Sequence, residues 1–276
     1  MDVGRGLNRY FDALGGTRAP LRDAGVWTPF VLFAVVQALI LFAMAMFTTP
    51  WLSPVMVPAL RALGGEAALH YPLHLVGLPA VYQRVYLPLV ASVGFSLWTL
   101  AVWRMVDHHS YGAERAPRAF RPLLLHTIVI GVLFVAASVL VSWGAGSVVG
   151  PKTPPMVAKA VMLLSVVLVA ALQTFLVYAP VALRLRGGNA WDALRAGARY
   201  AQRNFLATAL LIISVLFVHM PVDFLLARAD RVAARFSPET VLDLMLVSVL
   251  LEMFTAYILF AGVTELALPR EGGLSS

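Results

Sequence analysis

The sequence predicts an all-α fold: a polytopic integral membrane helical bundle of six transmembrane helices with amphipathic interfacial elbows. Three observations predict it. Of the 276 residues, 60% are hydrophobic and only 13% are charged, whereas a soluble domain carries about a quarter charged residues. Apolar runs longer than the ~18 residues that mark a membrane span recur along the chain. Basic residues gather in alternate connections between those runs.

The first 25 residues carry Arg5, Arg9, Arg18 and Arg22 among three aspartates. They lack the apolar core of a secretory leader and read as a cytoplasmic amphipathic segment. Residues 26–268 form the predicted six-helix domain, and 269–276 a cytoplasmic tail. The first span runs about Val26 to Phe47 and the second about Val85 to Val106. The third runs about Pro122 to Val148 and the fourth about Met156 to Leu183. The fifth runs about Phe205 to Ala227 and the sixth about Val241 to Leu268. Each exceeds the ~20 residues that cross ~30 Å of hydrocarbon. Pro88, Pro180 and Pro221 lie inside or near the ends of spans, where they predict kinks.

Orientation follows from charge. The N-terminal segment, the connection with Arg104, Arg115, Arg118 and Arg121, the connection with Arg184, Arg186, Arg195, Arg199 and Arg203, and Arg270 hold fourteen basic residues. The other connections hold seven: Arg61, Arg84, Lys152, Lys159, Arg228, Arg231 and Arg235. The richer side, with both termini, is predicted to be cytoplasmic. With no cysteine in the chain, disulfides and thiolate metal sites are excluded.

The stretch Arg184–Phe205, RLRGGNAWDALRAGARYAQRNF, places five arginines in 22 residues. Gly187-Gly188 breaks the fourth helix, and Asn189 can cap the next, with Asp192 favouring its N-terminus. Trp191, Leu194, Ala198, Ala201 and Phe205 then predict an apolar face toward lipid, with Arg195, Arg199 and Arg203 forming a second stripe toward headgroups. Trp191 and these three arginines are the expected contact to anionic lipid or to a partner protein; a loop that merely sets topology is the plainer reading. The same Arg-x-Phe step followed by a span occurs at Pro117–Val135 and at Gln202–Val218, and Arg9-Tyr10-Phe11 precedes the first span. This predicts parallel repeats of helix, basic elbow and helix.

These residues resemble the elbow of bacterial six-helix membrane proteins, such as the membrane domain attached to some glycerophosphodiester phosphodiesterases. The similarity lies in Ala193, Leu194, Arg195, Gly197, Arg203, Asn204 and Phe205, within the C-terminal half, Lys159 to Leu268. It implies a helical bundle; the expected location is a bacterial cytoplasmic (inner) membrane. The hydrolase domain of that architecture is absent, so the phosphodiester chemistry does not carry over.

Glu252, His219, Asp223 one turn beyond it, and Gln173 fall inside predicted spans and form a candidate polar cluster. A lone midplane carboxylate must be paired or protonated. His219, on the neighbouring antiparallel span, is its expected partner, with Gln173 as the other choice. Such a cluster serves as interhelical glue or as a proton or solute site; glue is the first expectation. Glu66, His70 and His74 are spaced by four, as metal ligands on a helix would be, but Pro72 interrupts them. They are expected to belong to short interfacial helices in the long connection 48–84, anchored by Trp51, Tyr71, Tyr82 and Tyr86. His108-His109 beside Asp107 reads as a loop, and Gly144 and Gly146 as a packing or loop feature.

No catalytic motif, phosphate loop or dinucleotide fingerprint is present. The chain is expected to be no enzyme and to need no cofactor or metal. Its expected partners are anionic membrane lipids and other membrane proteins or further copies of itself, not nucleic acid. The first functional expectation is a non-enzymatic subunit or scaffold of a membrane or envelope complex. The second is a small proton-coupled or lipid-like solute transporter using Glu252 and His219. The third, an enzyme acting on lipid, has only scattered histidines behind it.

Overall fold

In a membrane the backbone must satisfy its own hydrogen bonds, and helices do this segment by segment. The computed structural model describes residues 3–18, 20, 23–109, 123–149, 153–186 and 188–268, apart from the side chains of Val3, His108 and His109. Arg22, Arg115, Arg118, Arg121, Lys152, Gly187 and Arg270 lie outside the described residues, as does the Pro117–Arg121 copy of the elbow.

The helices are α1 (Val3–Gly16), α2 (Ala24–Ala45), α3 (Ser53–Gly64), α4 (Leu73–Leu89) and α5 (Phe95–His109). They continue with α6 (Leu124–Val148), α7 (Pro155–Leu176), α8 (Ala179–Arg186), α9 (Ala190–Leu226), α10 (Ala229–Arg235) and α11 (Glu239–Ala267). Among the described residues six stretches are long and apolar enough to cross a bilayer: α2, Leu73–Asp107, α6, Pro155–Arg186, α9 and α11. The chain is a multi-pass, all-helical membrane protein.

Prolines shape three of these stretches differently. The second span starts at Leu73 rather than Val85, because Leu75, Leu78, Val81 and Tyr82 recur at helical spacing and are buried. Pro88 lacks the N–H that would bond the carbonyl of Arg84, and a π-helical segment, Val90–Gly94, follows it. The fourth span divides at Val177–Tyr178, and Pro180 falls in the first turn of α8, where no N–H is needed. At Pro221 the helix carries on to Leu226. The interruption in α9 falls instead at Asn204 (φ −122°, ψ 20°), between elbow and span.

The chain forms two compact units. Unit 1 comprises Met1–Pro29, Val90–Ser214 and Tyr257–Ser276. Its aromatic core is Phe95, Trp98 and Phe260, with Phe95 and Phe134 ring centres 4.9 Å apart. Gly131 of α6 lies so close to the backbone of Ala91 that no side chain fits there. At the end of α5, Asp107 accepts Arg184 Nε at 3.0 Å, and that guanidinium stacks over Trp103.

Asn189 caps the elbow as its sequence predicts, its Oδ1 accepting the Asp192 N–H at 2.9 Å. Trp191, expected to face lipid, stays on the outside of the elbow, and a stripe of small residues turns toward the protein. Ala193, Ala196, Gly197 and Ala201 are buried, whereas Trp191 is 60% exposed and lies under the Arg195 guanidinium. The reason is steric: a Cβ on Gly197 would already stand 3.1 Å from the Ala179 nitrogen, so only small residues let α9 approach α8 so closely. Arg195, Arg199 and Arg203 are exposed. The segment α1 packs its Gly6, Tyr10, Ala13 and Thr17 stripe inward, with Tyr10 Oη 2.9 Å from Ser214 Oγ. Gly144 and Gly146 are not packing glycines, since a Cβ at either would meet nothing within 4 Å.

Unit 2 comprises Phe30–Leu89 and Val215–Ala256. Its core joins Leu41, Met44 and Phe47 of the first span and the turn after it to Leu60, Leu78 and Val81, and to Met245 and Val249 of α11. The first connection of the sequence reading is thus mostly folded helix. Glu66 pairs with Arg61 at 2.6 Å, and His74 packs its ring against Phe47 and Tyr71. Glu66, His70 and His74 therefore do not share one helical face: a 3-10 turn ends at Leu69 and α4 begins at Leu73. Tyr71 Oη donates to Glu239 at 3.2 Å, and this bond to a carboxylate raises the phenol's pKa above its ordinary value.

Candidate functional site: a polar cavity in unit 2

A carboxylate inside an apolar helix needs donors to replace the water it has lost. Glu252 of α11 finds two. Tyr86 Oη donates to Oε1 at 2.7 Å, and Gln37 Nε2 donates to Oε2 at 3.0 Å. Gln37 is itself held, because Tyr82 Oη donates to its Oε1 at 2.9 Å. Tyr82 and Tyr86 stand one turn apart on α4 with ring centres 5.8 Å from each other. The result is a chain of four side chains, Tyr82–Gln37–Glu252–Tyr86, drawn from three helices. Gln37 is 1% exposed, so its amide has no water to fall back on.

The expected pairing of Glu252 with His219 or Gln173 does not occur. His219 Nε2 lies 2.8 Å from Thr255 Oγ1. That hydroxyl also lies 2.8 Å from the Leu251 carbonyl, so Nε2 of His219 is engaged by Thr255 rather than by Glu252. Gln173 belongs to unit 1, where its Nε2 lies 3.3 Å from Ser138 Oγ. The signal that sequence reading passed over was Gln37, the one amide in an otherwise apolar first span. Tyr82 and Tyr86 serve this cavity rather than the membrane interface, and their four-residue spacing places them on one helical face.

These groups open onto a cavity of about 760 Å³. Val76, Pro79, Gln83 and Tyr86 line it from one face of α4. His219, Asp223 and Leu226 line it from α9 at spacings of four and three. Met245, Ser248, Val249 and Glu252 do so from α11, and Asp230 stands at the start of α10. Three carboxylates and one imidazole therefore line the cavity among the described residues, with no lysine or arginine. Among the described residues nothing hydrogen-bonds the Asp223 carboxylate, and no group of three or more potential ligands is placed to hold a metal ion.

Fold and cavity define a class, the multi-pass helical membrane proteins with a polar site inside the bundle. No family model, no curated protein and no solved structure matches this chain.

Proposed function

We propose that this chain is a non-enzymatic membrane transport protein that holds a small, positively charged solute in the Glu252 cavity and exchanges it against a proton. The observation that carries the reading is the cavity itself. Its volume, about 760 Å³, falls in the ~300–1,000 Å³ range of small-molecule sites. Its lining mixes apolar side chains, Val76, Pro79, Leu226, Met245 and Val249, with the polar groups. Glu252, Asp223 and Asp230 offer negative charge, and the faces of Tyr82 and Tyr86 suit an ammonium group. Gln37 and Tyr86 hold the Glu252 carboxylate in one position, so a proton or a cation meets a fixed oxygen. A cation that settles beside Glu252 takes the place of its proton, which leaves to water in the cavity. With Nε2 committed to Thr255, His219 keeps Nδ1 for the same traffic.

The test uses purified protein in liposomes under a pH gradient, with a panel of inorganic and organic cations. The wild type should move at least one of them. Glu252→Gln keeps the side-chain shape, removes the titratable proton, and should leave the protein folded yet slow transport at least about tenfold, the loss of ~1.4 kcal/mol of site affinity. A folded Glu252→Gln protein that transports like the wild type overturns the reading, as does a wild type that moves nothing.

One observation favours the subunit reading. In α6 and in Pro155–Arg186 only 17% of the most apolar stretch is buried, against 39% in α2. A helix of another membrane protein, or of a second copy, would cover that face, and a partner that copurifies at fixed stoichiometry in mild detergent would support this reading over transport. The excess of basic residues in alternate connections supports an inner-membrane setting with cytoplasmic termini.

A further inference from the structure

A second cavity lies within unit 1, where α1 meets the break in α9. Its volume is about 320 Å³, at the lower limit of the ~300–1,000 Å³ expected of small-molecule sites. It therefore suits a headgroup rather than a whole lipid. Arg5, Arg9 and Arg203 line it, and among the described residues no carboxylate does.

The site is built rather than incidental. Arg9 Nη1 donates to Asn204 Oδ1 at 2.7 Å and to the Arg203 carbonyl at 3.2 Å, both neutral oxygens. Asn204 is fixed in turn, since its Nδ2 donates to the carbonyls of Leu266 at 3.0 Å and Tyr200 at 3.3 Å. The interruption at Asn204 ends the elbow at Arg203 and starts the span at Phe205. The approach of α1 is equally fixed, because a Cβ on Gly6 would lie 2.5 Å from Leu206 Cδ2. Neither Arg9 nor Arg203 has a carboxylate partner among the described residues. The remaining donors of the Arg9 fork, which match a phosphate in pairs, are left for a ligand. Leu7 and Phe11, one turn apart on α1, are 43% and 60% exposed. An exposed apolar pair on a helix that also carries arginines is the pattern of a helix lying at a lipid surface.

We propose that Arg5, Arg9 and Arg203 form a specific binding site for the phosphate headgroup of an anionic phospholipid, with Leu7 and Phe11 against its acyl chains. The exposed stripe of Arg195 and Arg199 contributes general attraction only.

The experiment places the full chain in phosphatidylcholine nanodiscs doped with phosphatidylglycerol and measures retained anionic lipid by native mass spectrometry. Arg5→Gln/Arg203→Gln removes two charges from the cavity while leaving the Arg9–Asn204 clasp that docks α1. Arg195→Gln/Arg199→Gln removes the same charge from the outward face. General attraction is worth about fivefold per arginine near such a surface, so the outward pair should lower retention about twenty-fivefold at most, and the cavity pair, which also loses charge-assisted hydrogen bonds to the headgroup, at least about tenfold more. Equal losses in the two pairs, or no loss in the cavity pair with its melting temperature unchanged, overturn the proposal. Inorganic phosphate alone is the second arm. Saturable binding of phosphate to the delipidated protein, lost in the cavity pair while lipid retention stays intact, would assign the site to a free anion and overturn the lipid.

Discussion

The four-residue chain around Glu252 predicts a measurable coupling between Gln37 and Tyr82. Gln37→Leu keeps the volume of the side chain but removes two bonds, the one from Tyr82 at 2.9 Å and the one to Glu252 at 3.0 Å. Gln37 and Tyr82 are 1% and 8% exposed, so water does not replace what is lost. A buried polar group left without its partner costs about 1–3 kcal/mol, while polar contacts between membrane helices average nearer ~0.6 kcal/mol. Two stranded groups, the Tyr82 hydroxyl and one Glu252 oxygen, place Gln37→Leu at about 2–3 kcal/mol of destabilisation. Tyr82→Phe removes only the donor to Gln37 and should cost about 1 kcal/mol. In the Gln37→Leu background the same Tyr82→Phe change should cost almost nothing, because the hydroxyl has no partner left to lose. The cycle therefore closes with a coupling of about 1 kcal/mol. Reversible unfolding in mixed micelles, followed by tryptophan fluorescence, reads all four proteins. Single effects that add within ~0.3–0.5 kcal/mol would refute the hydrogen-bonded chain, and a neutral Gln37→Leu would remove Gln37 from the site altogether.

Two further outcomes follow from packing and charge. Gly131→Ala pushes a methyl group into the Ala91 carbonyl and the Phe95 side chain, which should lower stability by about 1–3 kcal/mol. Gly144→Ala, with nothing within 4 Å, should raise it by about 0.5–1 kcal/mol through reduced backbone freedom; thermal melts of the two variants should move in opposite directions. Reporter fusions after Gly65 and after Gly188 should fall on opposite sides of the membrane, external and cytoplasmic, and the same side for both would reject the orientation drawn from the basic residues.

The sequence by itself determined the number of spans and their class. Six long apolar runs have one solution in lipid, since a helix alone satisfies its backbone within one segment. The predicted ends of the third and sixth spans fall within a few residues of α6 and α11, and the Asn189 cap forms because its partner is three residues away. Interactions that close over so short a distance are written in local spacing. The tertiary structure alone decided the rest. Glu252 has its donors 215 and 166 residues away in sequence, at Gln37 and Tyr86, and no periodicity relates them. His219 is near in sequence and antiparallel in topology, yet it answers to Thr255. The inward face of the elbow was likewise hidden, because hydrophobic period marks only the Trp191 face for lipid, whereas close approach to α8 selects Ala193, Ala196 and Gly197 for the protein side. In water the larger apolar side chain wins the buried face by area. Between membrane helices lipid is as apolar as leucine, so fit between backbones decides, and fit depends on the partner helix rather than on the segment alone.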